Sequence, residues 1–171
     1  MHEIRAHSQR GYSLIEMLVV VAIIGMLSLV AVPNFINLYQ STRLKSSLRQ
    51  FTSDLRGARQ QAVTQYVWVK VDVKPTGMPG RYSISVSNDL GTTWGTPLFR
   101  DLLEPIYVNA ITFEDGTDAD DWPEIVFRNN GTVANVPAGE VAGEVELKTD
   151  ANIAKRVITV RVNPSGKISA E

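Results

Sequence analysis

The stretch "RGYSLIEMLVVVAIIGMLSLVAVPNF", residues 10–35, decides how the rest of the chain is organised. From Met17 to Gln40 there is no charged residue, and Met17 to Val32 is apolar apart from Gly25 and Ser28. With Tyr12 to Ile15 in front, the run reaches the roughly 20 residues that cross a bilayer as a helix. Arg5 and Arg10 precede it and the first basic residue after it is Arg43. The positive-inside bias therefore predicts one crossing, with the N-terminus cytoplasmic and the bulk of the chain on the other side. A secretory signal peptide shares the basic start and the apolar run, but "SLVAVPNF" offers no A-x-A and Pro33 follows close behind Ala31. One residue conflicts with hydrocarbon. Glu16 heads the run, and an ionised carboxylate at membrane depth costs several kcal/mol unless it is paired, protonated or put to use.

Composition narrows the chemistry. The chain has 171 residues, 44% of them hydrophobic, and a formal net charge of -1. That is the profile of one folded domain plus an appendage, with no global excess of positive charge to draw nucleic acid or anionic lipid. Without cysteine it has no disulfides, thiolate nucleophiles or iron-sulfur ligands. Both histidines, His2 and His7, precede Gly11. A chain cut at Gly11 loses the usual general base near neutral pH and the commonest transition-metal ligand together. The residues predict no enzyme, no cofactor and no metal site.

The opening stretch closely resembles the class III signal of type IV pilins and type II secretion pseudopilins: a short basic leader, a Gly, an aromatic residue, then [ST]-L-[IV]-E and a long apolar helix. The resemblance implies removal of residues 1–11 by a prepilin peptidase that cuts between Gly11 and Tyr12 on the cytoplasmic side and methylates the new amine of Tyr12. Tyr12 stands where the family usually has Phe. In a filament of such subunits, Glu16 of one chain lies at the depth of the free Tyr12 amine of its neighbour, so mutual neutralisation would favour side-by-side packing. The competing reading is that Glu16, one turn inside the cut end, snorkels to the interface.

Helical periodicity continues past the apolar run. Leu44, Leu48, Phe51, Leu55, Ala58 and Ala62 recur at spacings of three and four and build one apolar stripe. The helix is expected to reach about Tyr66, with a kink or local break at Pro33, whose ring removes a backbone donor. Beyond it "VWVKVDV", "RYSISVS", "IYVNAITF", "EIVFR", "GEVELKT" and "RVITVRV" alternate like strands, separated by the turn phrases "KPTGMPG", "NDLGTTWG", "RNNGT" and "NPSG". The predicted fold is α+β and pilin-like: a long N-terminal helix, transmembrane and then amphipathic, packed on an antiparallel sheet. The expected divisions are a leader at 1–11, a membrane and assembly helix at 12–36, an amphipathic half at 37–66 and a β-rich head at 67–171.

Three phrases, "DLRGARQQAVTQ", "IVFRNNGTV" and "VITVRVNPSGKIS", are similar to the H-type minor pseudopilins of type II secretion and to the related FimT-type minor pilins. The resemblance implies a structural subunit of a periplasmic pseudopilus, anchored in the bacterial inner membrane, whose partners are other pseudopilins, the peptidase and the membrane. The alternative is a minor pilin of a type IV pilus that binds DNA for uptake. Lys45, Arg49, Arg56 and Arg59 form a basic stripe on the helix and Lys167 adds one charge at the "NPSGKIS" turn. Charged stripes ordinarily flank a buried face, and nucleic acid is the second choice.

Two further phrases carry possible chemistry. "SNDLGTTW", Ser87 to Trp94, fits the S-x-D-x-G-x-T-W Asp-box seen in sialidases, and a single copy predicts a hairpin turn rather than a glycosidase. "FEDGTDADDWPE" concentrates Glu114, Asp115, Asp118, Asp120, Asp121 and Glu124, hard oxygens of the kind calcium takes. The spacing lacks the Gly and terminal Glu of an EF-hand loop, so a solvated acidic loop is the expectation.

Overall fold

The computed structural model describes residues 12–75, 77–112, 122–134, 143–149 and 157–171. The leader, Gly11 included, and the acidic residues Glu114, Asp115, Asp118, Asp120 and Asp121 lie outside these. The chain divides into two units, Met1–Ile36 and Asn37–Glu171.

One helix, α1 (Leu14–Gln65), runs through both units. Within the first, the Ser13 carbonyl accepts the amides of Glu16 at 3.1 Å and Met17 at 3.2 Å, which starts the helix. Every described residue of this unit is exposed, as an unpartnered apolar helix must be. Ser28, the one hydroxyl inside the apolar run, donates to the Ile24 carbonyl at 2.8 Å and so hides its polarity in the backbone. Pro33 sits inside α1 and the helix continues through it without a break. Its ring carries no amide donor, which leaves the Leu29 carbonyl without its usual i+4 partner.

In the second unit α1 becomes amphipathic. Leu44, Phe51, Leu55, Ala58 and Ala62 are buried and Leu48 packs against them, as the stripe predicts. Ser41, Ser47 and Thr52 are buried too, which apolar periodicity does not foresee. Their hydroxyls are satisfied: Ser41 and Thr52 donate to carbonyls within their own helix, and Ser47 Oγ accepts the Leu103 amide at 3.1 Å. The helix stops one residue before the expected end. Tyr66 takes φ 57° and the Val67 amide reaches back to the Ala62 carbonyl at 3.2 Å, a Schellman closure with tyrosine in the left-handed position usually held by glycine.

The strands are β1 (Trp68–Val73), β2 (Arg81–Ser87), β3 (Leu98–Asp101), β4 (Ile106–Ile111), β5 (Glu124–Phe127), β6 (Gly143–Thr149), β7 (Val157–Val162) and β8 (Ile168–Ala170). Instead of the single sheet expected, they form two four-stranded antiparallel sheets, ordered β3-β2-β1-β5 and β4-β6-β7-β8. Alternation along a strand reports which residues share a face but not which strands pair, so one sheet and two look alike in sequence. Strand β3 was not expected; all four of its residues are exposed, so "LFRD" carries no alternation to read.

A single core joins both sheets to the buried face of α1. Val69, Val71, Tyr82, Ile125 and Phe127 come from the first sheet, and Ile106, Val145, Leu147, Val160 and Val162 from the second. Phe51 meets Tyr82 edge-on, with ring centroids 5.0 Å apart. Tyr82, Ile84 and Val86 face this core together, as the alternation of "RYSISVS" requires.

Candidate functional site

The first candidate is the start of α1. Tyr12 is 77% exposed and precedes the helix, and Glu16 is the only acid of its first turn. Ser13 and Glu16 stand at the capping-box spacing, and a carboxylate there complements the positive end of the helix dipole. The position of Glu16 thus suits intrahelical stabilisation. The following turns are apolar, exposed and long enough to cross a membrane, and none of that window is buried in the protein.

The second is the basic stripe. Lys45, Arg49 and Arg56 are exposed. Arg59 is half-buried: its Nε donates to the Gly131 carbonyl at 2.9 Å and its NH2 to the Ser165 carbonyl at 3.2 Å. These bonds tie the turn after β5 and the β7–β8 turn to α1. Arg56, Arg59 and Lys167 line one groove of about 550 Å³, and neither Lys45 nor Arg49 joins them. Arg59 commits two of its five donors to backbone carbonyls, whereas Arg56 is exposed on the same groove.

The Asp-box forms the hairpin its sequence predicts. Ser87 Oγ accepts the Gly91 amide at 2.8 Å and donates to Asp89 Oδ1 at 2.6 Å. Asp89 also accepts the Thr93 amide at 2.8 Å and its hydroxyl at 2.6 Å. Bonds from Ser87 and Thr93 to the charged form hold the Asp89 carboxyl down at about 2. Leu90 and Gly91 take positive φ to close the turn. The result delivers Trp94 over the outer face of β1, with its ring centroid 4.9 Å from Lys70 Nζ.

Among the described residues no cluster of three or more metal-ligating side chains occurs. Glu124, the one described carboxylate of the acidic phrase, opens β5 and lies 3.5 Å from Lys70 Nζ. A cavity lined by Lys70, Asp72, Ser83, Trp94 and Trp122 escaped sequence reasoning. Its signal was the second face of two strands: "VWVKVDV" sets Trp68, Lys70 and Asp72 opposite the serines of "RYSISVS".

An N-terminal helix whose first half is apolar and exposed, whose second half packs on antiparallel sheets, and whose first turn holds a lone carboxylate defines a pilin-like filament subunit. Residues 6–32 match the prokaryotic N-terminal methylation motif, a span that includes Gly11, Tyr12 and Glu16. Residues 47–166 match the family type II transport protein GspH. The chain belongs to the GspH family and is a minor pseudopilin of type II secretion.

Among solved structures it is similar to the minor pseudopilin EpsH from the type 2 secretion system of Vibrio cholerae, with 14% identity, a TM-score of 0.54, and coverage of 75% of this chain and 96% of that one. It is also similar to the type IV minor pilin FimU of Pseudomonas aeruginosa (strain PAO1), with 14% identity, a TM-score of 0.50, and coverage of 78% and 92%. At that identity the likeness speaks to the fold. No curated protein matches significantly. Members of this family are structural, and membership implies assembly with other pilin-like subunits.

Proposed function

We propose that the chain enters the bacterial inner membrane once, with its N-terminus cytoplasmic and its head periplasmic, and is cut by a prepilin peptidase between Gly11 and Tyr12. The Tyr12 amine is then methylated. In the pseudopilus, Glu16 neutralises the Tyr12 amine of an adjoining subunit while the apolar turns of the two helices pack together. The observation that carries this reading is the exposed apolar stretch of α1 with its single acid in the first turn. A helix of that kind needs either lipid or neighbours around it, and a cation at the same depth would offset the cost of its acid.

The experiment is deletion of the chain in its own host, with export of folded proteins across the outer membrane measured beside pilus formation and DNA uptake. Loss of export with normal pili and uptake is the expected result. Normal export with loss of DNA uptake would overturn the reading in favour of a DNA-binding minor pilin. In that case binding to DNA by the full chain would fall steeply with salt and depend on Arg56 and Lys167.

A further inference from the structure

The first sheet has a second organised face. By register Lys70 stands opposite Ser85 and Asp72 opposite Ser83, on the side away from Val69, Val71 and Tyr82. This face is covered rather than solvated. Ser83 and Ser85 are each 3% exposed, and the Lys70 side chain is as deeply buried. Lys70 Nζ lies 3.6 Å from Asp72 Oδ1 and 3.5 Å from Glu124 Oε2, and Ser83 Oγ donates to Asp72 Oδ2 at 3.2 Å. Above this polar floor opens a cavity of about 230 Å³, walled by Trp94, Phe99 and Trp122. Phe99 and Trp122 meet edge-on with centroids 6.4 Å apart.

A buried ammonium with two carboxylates is an expensive way to finish a sheet surface. Apolar side chains of similar volume generally serve stability as well or better. The arrangement therefore asks for a ligand, and its chemistry narrows which. Among the described residues the floor presents an ammonium beside carboxylates, so it offers hydrogen-bond donors and acceptors together. A cationic guest would compete with Lys70 for the same carboxylates and for the Trp94 ring that Lys70 already approaches. A neutral polyol brings no charge to that competition. Each of its hydroxyls both donates and accepts, matching the ammonium, carboxylate and serine hydroxyls of the floor. Its C–H face suits an indole wall. The volume is below the roughly 300–1,000 Å³ of drug-sized sites, enough for one ring.

We propose that this cleft binds a single pyranose ring, stacked on Trp94 or Trp122 with its hydroxyls on Asp72, Lys70 and Ser83. The Asp-box then has a purpose beyond closing a turn, since it holds Trp94 at the cleft.

The test uses the full chain in a polyoxyethylene detergent, which carries no sugar headgroup. Methyl glycosides of glucose, galactose and N-acetylglucosamine are titrated by saturation-transfer NMR and calorimetry. Saturable binding of at least one is expected, with transfer strongest to ring C–H protons. Trp94→Ala and Asp72→Asn should each weaken it about tenfold or more, with Trp94→Phe intermediate. Thermal midpoints identify any variant that fails to fold, and Trp94→Phe and Asp72→Asn decide the matter if Trp94→Ala does. Tighter binding of a trisaccharide than of the matching monosaccharide would assign a unit within a glycan, and equal binding a free or terminal sugar; both support the proposal. No saturable transfer from any glycoside would overturn it. So would affinity left unchanged in folded Trp94 and Trp122 variants, or binding of arginine methyl ester instead of the glycosides, which would mark a seat for a cationic side chain.

Discussion

The Tyr82 hydroxyl donates to Asp54 Oδ2 at 2.6 Å, which ties β2 to α1 across the core that both enclose. Gln50 Nε2 approaches the same hydroxyl at 3.4 Å. Burial and the Asp54 bond both favour the neutral phenol and push its titration far above the ordinary tyrosine range.

Tyr82→Phe keeps the ring contact with Phe51 and removes only the hydroxyl. It should destabilise the head by about 1–2 kcal/mol, the usual cost of leaving a buried hydrogen-bond partner unmet. The pH dependence has a definite sign. The folded state holds the Tyr82 proton more tightly than the unfolded chain, so this contribution is complete below about pH 10 and is lost as pH rises toward the folded value. Denaturation midpoints of wild type and variant should converge in alkali, and a constant difference through pH 11 would contradict the assignment.

Arg59 and Gly166 meet where two turns nest. Gly166 has φ +74° and a Cβ there would overlap the Gly131 carbonyl oxygen that Arg59 binds. Gly166→Ala should cost roughly 1–3 kcal/mol from backbone strain alone, and Arg59→Ala should cost a comparable amount by stripping two carbonyls of a charged donor. Arg56→Ala, exposed beside them, should stay within about 0.5 kcal/mol. Equal stability of the two arginine variants in thermal melts would show that Arg59 is no clamp.

Asp89 supplies an acid-side counterpart. Its folded carboxyl titrates at about 2, below the roughly 3.9 of an unfolded aspartate. The turn is thus fully supported above about pH 4 and loosens as pH falls toward 2. The Thr93 amide resonance should report that midpoint, and Asp89→Asn should abolish the transition. A Thr93 midpoint near 4 would mean that the bonds to Ser87 and Thr93 do not persist in solution.

Glu16 has two candidate uses, and glutamine separates them. Glu16→Gln retains capping-box geometry but not the charge, whereas Glu16→Ala loses both. If charge neutralisation of a neighbouring Tyr12 amine matters, both variants should insert and be cut normally yet crosslink poorly to filament partners at equal membrane levels. If the local cap matters, Gln should restore crosslinking that Ala loses. Normal crosslinking of both would leave only the snorkelling account.

Replacing Gly11 with a bulky residue should block cutting, leaving a chain that keeps its basic leader and stays in the bilayer. Intact mass of the membrane form reads this directly. A variant shortened to the wild-type mass would mean that the cut does not depend on Gly11.

The apolar run, the stripe on α1 and the alternating strands were legible without coordinates because each is a periodic feature of contiguous residues. A helix repeats every 3.6 residues and a strand every two, so the face that will be buried is written locally. The Asp-box was equally readable, since its bonds join residues at most four apart. What only the tertiary structure decided was which strands pair, and hence that the head holds two sheets. It also decided that Arg59 serves Gly131 and Ser165, 72 and 106 residues away. The aromatic cleft belongs to the same class, because Lys70, Trp94 and Trp122 meet only once β1 lies between β2 and β5. Such contacts depend on strand order and loop closure, which join residues distant in sequence and leave no periodic trace in it.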